Sequence, residues 1–224
     1  LLDNPFLDPK HWLNISGVNL DITHRCLLQC PKCLRQQFPG MHMRGHDIEL
    51  KNLEKIIDSL FEQFDFCGQM GDCIYHPKFL DILKLCDNYK KKFIFHTNGH
   101  GKREKWWDEV SDIIQNKDKF RFLFALDGLP KDSHIYRKNQ DGVKVWEVMK
   151  KLAKINSNIA WQYIIFKYNE NDIEEARKMA YENNITFYPI LSTRWEKNDP
   201  LRPSEGLSLK SKNEHREEQN ANIS

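Results

Sequence analysis

The sequence predicts an α/β fold, a partial (β/α)6 TIM-like barrel, on three observations. Short apolar runs rich in β-branched and aromatic residues alternate with longer stretches of helical period, the order of βα units on a parallel sheet rather than of a meander. Six strand candidates and five intervening helices fall short of the roughly 250 residues of a full eightfold barrel. Among 224 residues, 29% are charged and 40% hydrophobic, which is globular composition with length enough for a substantial core.

The elements follow in order. The first strand is expected at 17–22 and opens into a loop with three cysteines. A helix at 49–63 is read from Leu50, Leu53, Ile56, Ile57, Leu60 and Phe61, an apolar stripe at three- and four-residue spacing. Strands are then expected at 64–68, 92–96, 120–126, 160–166 and 186–191. The helices between them are expected at 76–90, 104–116, 143–156 and 172–183. Trp106 and Trp107 begin one of these helices as core or interface residues. From about Trp195 the pattern ends in Asp199-Pro200, Arg202-Pro203 and a polar run. The organisation is therefore an N-terminal extension at 1–15, a core domain at 16–195 and a flexible polar tail at 196–224.

Lys and Arg number 34 against 32 Asp and Glu, a net charge of +2, too small to select a nucleic acid by bulk electrostatics. No run approaches the roughly 18 apolar residues of a membrane span, and the first residues lack the pattern of a secretory signal. Three of the six cysteines fall within eight residues, a spacing suited to a shared metal centre in a reducing compartment. A cytoplasmic location is expected.

In parallel barrels, chemistry gathers beyond the carboxyl ends of the strands. Cys26, Cys30 and Cys33 lie there, after the first strand. Thiolates are soft ligands for iron or zinc, and three of them can hold three corners of a cluster while the fourth stays open. A structural zinc site would need a fourth ligand, for which His24, His42 and His46 are near in sequence. A dithiol pair at Cys30 and Cys33 would leave Cys26 unused. Cys67 and Cys86 read as small core residues.

The Cys-x3-Cys-x2-Cys spacing after the first strand of a βα series resembles the radical S-adenosylmethionine (SAM) superfamily, over about residues 16–195. The resemblance implies the partial barrel of the radical SAM type, a 4Fe-4S cluster on Cys26, Cys30 and Cys33, and SAM chelated by the open iron. It further implies reductive cleavage of SAM to a 5′-deoxyadenosyl radical and hydrogen abstraction from a substrate. Lys32 departs from the pattern, since many members have an aromatic residue there. The loop after the second strand, with Gly68, Gly71 and Asp72, resembles the region that binds the SAM amino group. Thr97-Asn98-Gly99, Asp127-Gly128 and Lys167-Tyr168-Asn169 resemble further landmarks of members with peptide-maturase or molybdopterin-enzyme-like cores, and of uncharacterised phage and marine relatives. Cofactor contacts are thereby expected at Gly68, Gly71, Asp72, Thr97, Asn98, Asp127 and Asn169, and substrate contacts at Tyr136, Arg137 and Arg194. A one-electron donor such as a flavodoxin or ferredoxin is implied, with a small molecule or peptide as substrate. The competing reading is a non-catalytic zinc or iron-sulfur binding module, possibly RNA-binding.

Overall fold

A computed structural model describes residues 16–37, 46–192, 195–196, 198–205 and 207. The strands are β1 (Gly17–Asn19), β2 (Gln63–Phe66), β3 (Lys92–Thr97), β4 (Phe120–Ala125), β5 (Ile159–Ile165) and β6 (Thr186–Leu191). The helices are α1 (Leu34–Gln37), α2 (Leu50–Ile57), α3 (Phe79–Asp87), α4 (Glu104–Ile114), α5 (Gly142–Ala153) and α6 (Ile173–Glu182). All six strands run parallel in the order β1-β2-β3-β4-β5-β6. Among the described residues β1 and β6 do not pair with each other, so the sheet is an open partial barrel of the expected class.

The period-two alternation of the strands explains the layering. Phe64 and Phe66 of β2 pair with Phe93 and Phe95 of β3, which pair in turn with Phe120 and Phe122 of β4. All six rings are fully buried on the face that the helices cover. Phe79 and Trp107 close over this aromatic sheet, with rings 5.4 Å from Phe95 and 5.7 Å from Phe124. Trp107 is core, as expected. The alternate residues, among them His96, Leu123, Ala125, Gln162 and Ile164, face a cavity on the opposite side.

Several boundaries differ from the periodic reading: β1, expected over 17–22, ends at Asn19, and two helices are shorter than expected. Helix α2 ends at Ile57, six residues before the expected end, and Leu60 is 94% exposed rather than part of the buried stripe. The Lys91 ammonium donates to the Ile57 and Ser59 carbonyls, at 2.7 and 2.5 Å, and so satisfies the end of the helix. Helix α3 begins at Phe79 rather than His76, because Pro77 disfavours helical backbone in the residue before it. The segment expected to be a flexible tail from 196 is held to the core as far as Ser204. Asp199 pairs with Lys32 at 2.5 Å, the Lys167 N–H donates to the Leu201 carbonyl, and the Ser204 hydroxyl and N–H donate to Glu170.

Candidate active site

The loop after β1 carries the cysteines to the carboxyl ends of the strands, and backbone contacts fix it there. The Asp72 N–H donates to the Arg25 carbonyl at 2.8 Å, and the Gln29 N–H donates to the Lys138 carbonyl at 3.2 Å. Asp47 accepts from the Thr23 hydroxyl and from the Arg25 guanidinium. All three cysteines of the motif are free thiols and partly exposed. They line a cavity of about 510 Å³ together with Gly68, Gly71, Asp72, Thr97, Asn98, Tyr136 and Arg137.

The glycines after β2 are set by approach of one backbone to another. A Cβ on Gly71 would lie 2.0 Å from the Thr23 carbonyl oxygen, and one on Gly68 would lie 1.9 Å from the Gly71 carbonyl oxygen. Gly71 thereby lets the second loop pack on the cysteine loop, and Gly68 lets the second loop fold closely on itself. Asp72 is buried and joins three segments: one oxygen accepts from the Ile74 N–H at 3.2 Å, the other from the Asn98 N–H at 2.6 Å. Burial pushes its carboxyl up to about 6, against the lowering effect of these bonds. Asn98 in turn accepts from the Tyr75 hydroxyl and the His100 N–H, and its side-chain amide donates to the Cys26 sulfur at 3.5 Å. Thr97 accepts from the Gly99 N–H at 3.0 Å, closing the turn that Gly99 makes at φ 69°.

Asp127 and Asn169 are buried outside the cavity lining, and both close the ends of strands. Asp127 accepts from the Ile164 N–H and pairs with Arg137 at 2.7 Å, so it meets the cavity only through Arg137. Asn169 accepts from the Phe166 N–H and donates to the Ile164 carbonyl. In this structure both side chains serve the chain's own backbone and, for Asp127, the Arg137 guanidinium. Arg194 lies outside the described residues, as does His42.

Several residues outside the expected cofactor and substrate contacts also line the cavity. Cys67 borders the cavity rather than the core, whereas Cys86 is fully buried as expected. Phe166 and Trp195 make an aromatic wall with Tyr136, with ring centroids 4.2 and 4.9 Å from that of Phe166. His96 and Gln162 stand on the floor, and Lys32 and Arg35 on the rim. A single polar residue at an inward register of an apolar strand was the available signal for His96 and Gln162.

The donor set fits an iron-sulfur cluster. Burial pushes the Cys26 thiol up to about 12 and raises Cys30 as well, so metal ligation there displaces protons. Lys32, Arg35 and Arg137 line the same cavity, Lys32 paired with Asp199 and Arg137 with Asp127. Among the described residues no three His, Cys, Asp or Glu side chains converge on the position of a single ion.

No family model and no curated protein matches the sequence. Solved structures do. SuiB of Streptococcus suis, bound to S-adenosylmethionine, superposes with a TM-score of 0.66 at 14% identity, over 93% of this chain and 47% of SuiB. The chain shares the fold of SuiB over this span, a parallel open barrel. SuiB bound to its precursor peptide SuiA gives 0.62 at 16% identity, over 84% of this chain and 45% of that one. TYW1 with a lysine-pyruvate adduct bound gives 0.56 at 14% identity, over 82% and 68%. The chain spans about half the length of SuiB. No helix among the described residues is long and apolar enough to cross a membrane.

Proposed function

We propose that the chain is a radical SAM enzyme, with Cys26, Cys30 and Cys33 as ligands of a 4Fe-4S cluster and SAM bound beside them. One observation carries the reading: three free cysteines after β1, the glycine–acid turn after β2 and the Thr97-Asn98 turn after β3 share one cavity at the carboxyl ends of parallel strands. When bound, the cluster and SAM supply reductive SAM cleavage and hydrogen abstraction from an unreactive carbon.

The chain's own residues hold and shield that chemistry. The three thiols give up their protons on ligation, and the Asn98 amide supports the Cys26 sulfur. Asp72 holds the second and third loops in register, so an ammonium group entering beside it meets an acid already fixed by two backbone N–H groups. Leu123, Ile164, Ile190 and Phe166 make the walls apolar, which excludes water and competing hydrogen donors. Reduction requires an external one-electron donor of the flavodoxin or ferredoxin class. The structure of SuiB with a precursor peptide supports a peptide, beside a small molecule, as substrate class.

Anaerobic reconstitution with iron and sulfide, then reduction with SAM, tests the reading. The expected product is 5′-deoxyadenosine. Cys30→Ala is expected to abolish both the cluster spectrum and SAM cleavage, while Cys86→Ala, in the core, keeps both. Zinc as sole bound metal, with no SAM cleavage, would instead identify a binding module.

A further inference from the structure

Two polar side chains in the cavity are unused by the proposed cofactor site. His96 on β3 and Gln162 on β5 both line it. Period two turns them inward while Phe95, Trp161 and Tyr163 are buried on the other face. His96 stands opposite Leu123, and Gln162 lies between Ala125 and Tyr188 in the sheet register. The small Ala125 side chain leaves room beside Gln162.

Neither the imidazole nor the amide makes a hydrogen bond or ion pair with another described residue; it is the backbone carbonyls of His96 and Gln162 that accept, from the Cys73 thiol and the Leu126 N–H. Burial lowers the His96 pKa below its ordinary value, with Arg121 acting in the same direction and Asp65 opposing, so the ring is neutral near pH 7. Arg121 itself is engaged by the Tyr188 hydroxyl. Each of the two side chains thus offers a donor and an acceptor without charge. Around them Leu123, Ala125, Ile164 and Ile190 are apolar. A ligand group that leaves such polar atoms unpaired is penalised, and a charged one is penalised more. The group that suits this floor is flat and uncharged and carries its own donor and acceptor, as an amide does.

The open side of the cavity is bordered by β6. Among the described residues β6 pairs only with β5, and Ile190 and Leu191 are 39% and 42% exposed beside the cavity they line. A free strand edge offers main-chain donors and acceptors at the spacing of an extended polypeptide. A polynucleotide has no comparable attraction, since the net charge is only +2.

We propose that His96 and Gln162 form an amide-recognising floor, and that the substrate is an extended peptide laid along the free edge of β6 with one amide group on that floor. The inference deepens the proposed function and rests on it for the reactive group above the floor.

The test uses the full chain, reconstituted anaerobically with SAM, and two probes: a pool of randomised N-acetyl octapeptide amides and a pool of ribonucleosides. Ligands retained by the protein are identified by mass spectrometry, and a retained peptide is titrated calorimetrically. Peptides are expected to be retained, with Kd weakened about three- to tenfold by Gln162→Met and by His96→Asn, each losing about one neutral hydrogen bond. Far-ultraviolet circular dichroism of each variant establishes that it is folded, and Gln162→Leu or His96→Gln replaces a variant at the same position that is not. Peptide binding unchanged in folded variants at both positions overturns the floor. Retention of nucleosides alone, or of neither pool, overturns the peptide. Either failure with 5′-deoxyadenosine still produced sinks this inference alone; absence of 5′-deoxyadenosine from the wild-type chain sinks the cofactor reading.

Discussion

Gly71 shows how a single residue joins the site to the fold. The Cβ that any other residue brings meets the Thr23 carbonyl two residues before Arg25, whose own carbonyl holds the Asp72 N–H. Gly71→Ala is therefore expected to destabilise the chain by about 1–3 kcal/mol, the usual range for overpacking, and to weaken cluster retention because the cysteine loop must shift. Thermal unfolding and iron content measure the two effects, and an unchanged iron content would separate the turn from the cysteine loop. Asp72 gives a pH signature. Its folded-state pKa of about 6 lies above the ordinary 3.8, so its contribution to stability is fully present below the unfolded value and is lost as pH rises through about 6. Metal-free wild type is expected to lose stability relative to Asp72→Asn between pH 4 and 7, by an amount on the order of 3 kcal/mol. Denaturant titrations at both pH values check the sign; a difference that stays constant with pH would mean that folding does not raise the Asp72 pKa.

Among the elements, α2 is limited by its terminus rather than by its apolar stripe. Leu60 and Phe61 continue the helical spacing, yet the chain leaves the helix at Asp58 because Lys91, arriving just before β3, holds the Ile57 and Ser59 carbonyls. Lys91→Met keeps the aliphatic stem and removes the donor, so a loss of about 0.5–2 kcal/mol is expected. Chemical denaturation reads it, and no loss would assign the end of the helix to the local sequence alone. The strands were legible for a different reason. Alternation through Phe93 and Phe95, and through Phe120, Phe122 and Phe124, marks one buried face whatever lies on the other. The same alternation places His96 and Gln162 on the cavity side, but only the register between strands brings them to a shared floor.

At the scale of the whole molecule, the segment around Asp199 crosses from the end of β6 to the cysteine loop. Lys32 holds it at one point, and Lys167 and Glu170 hold it at another. Truncation after Gly206 is expected to leave the melting temperature within about 2 °C, whereas truncation after Glu196 removes these contacts and lowers it by several times as much. Equal melting temperatures for the two truncations would show that the segment adds nothing to the core.

The sequence by itself determined the alternating βα order, the six strands and the three cysteines behind the first of them. These are local signals: apolar period and the spacing of thiols within one loop. It also marked Gly68, Gly71 and Asp72, though for a ligand's approach, when their first partners are the chain's own backbone. Tertiary structure alone decided which marked residues meet. Asp127 and Asn169 turned inward to close the ends of strands, since buried backbone N–H and C=O groups there required partners. Cys67 and Phe166 reached the cavity, and Lys32 met Asp199 across 167 positions of chain. Such meetings depend on strand register and loop path, which packing fixes over the whole barrel and no local pattern encodes.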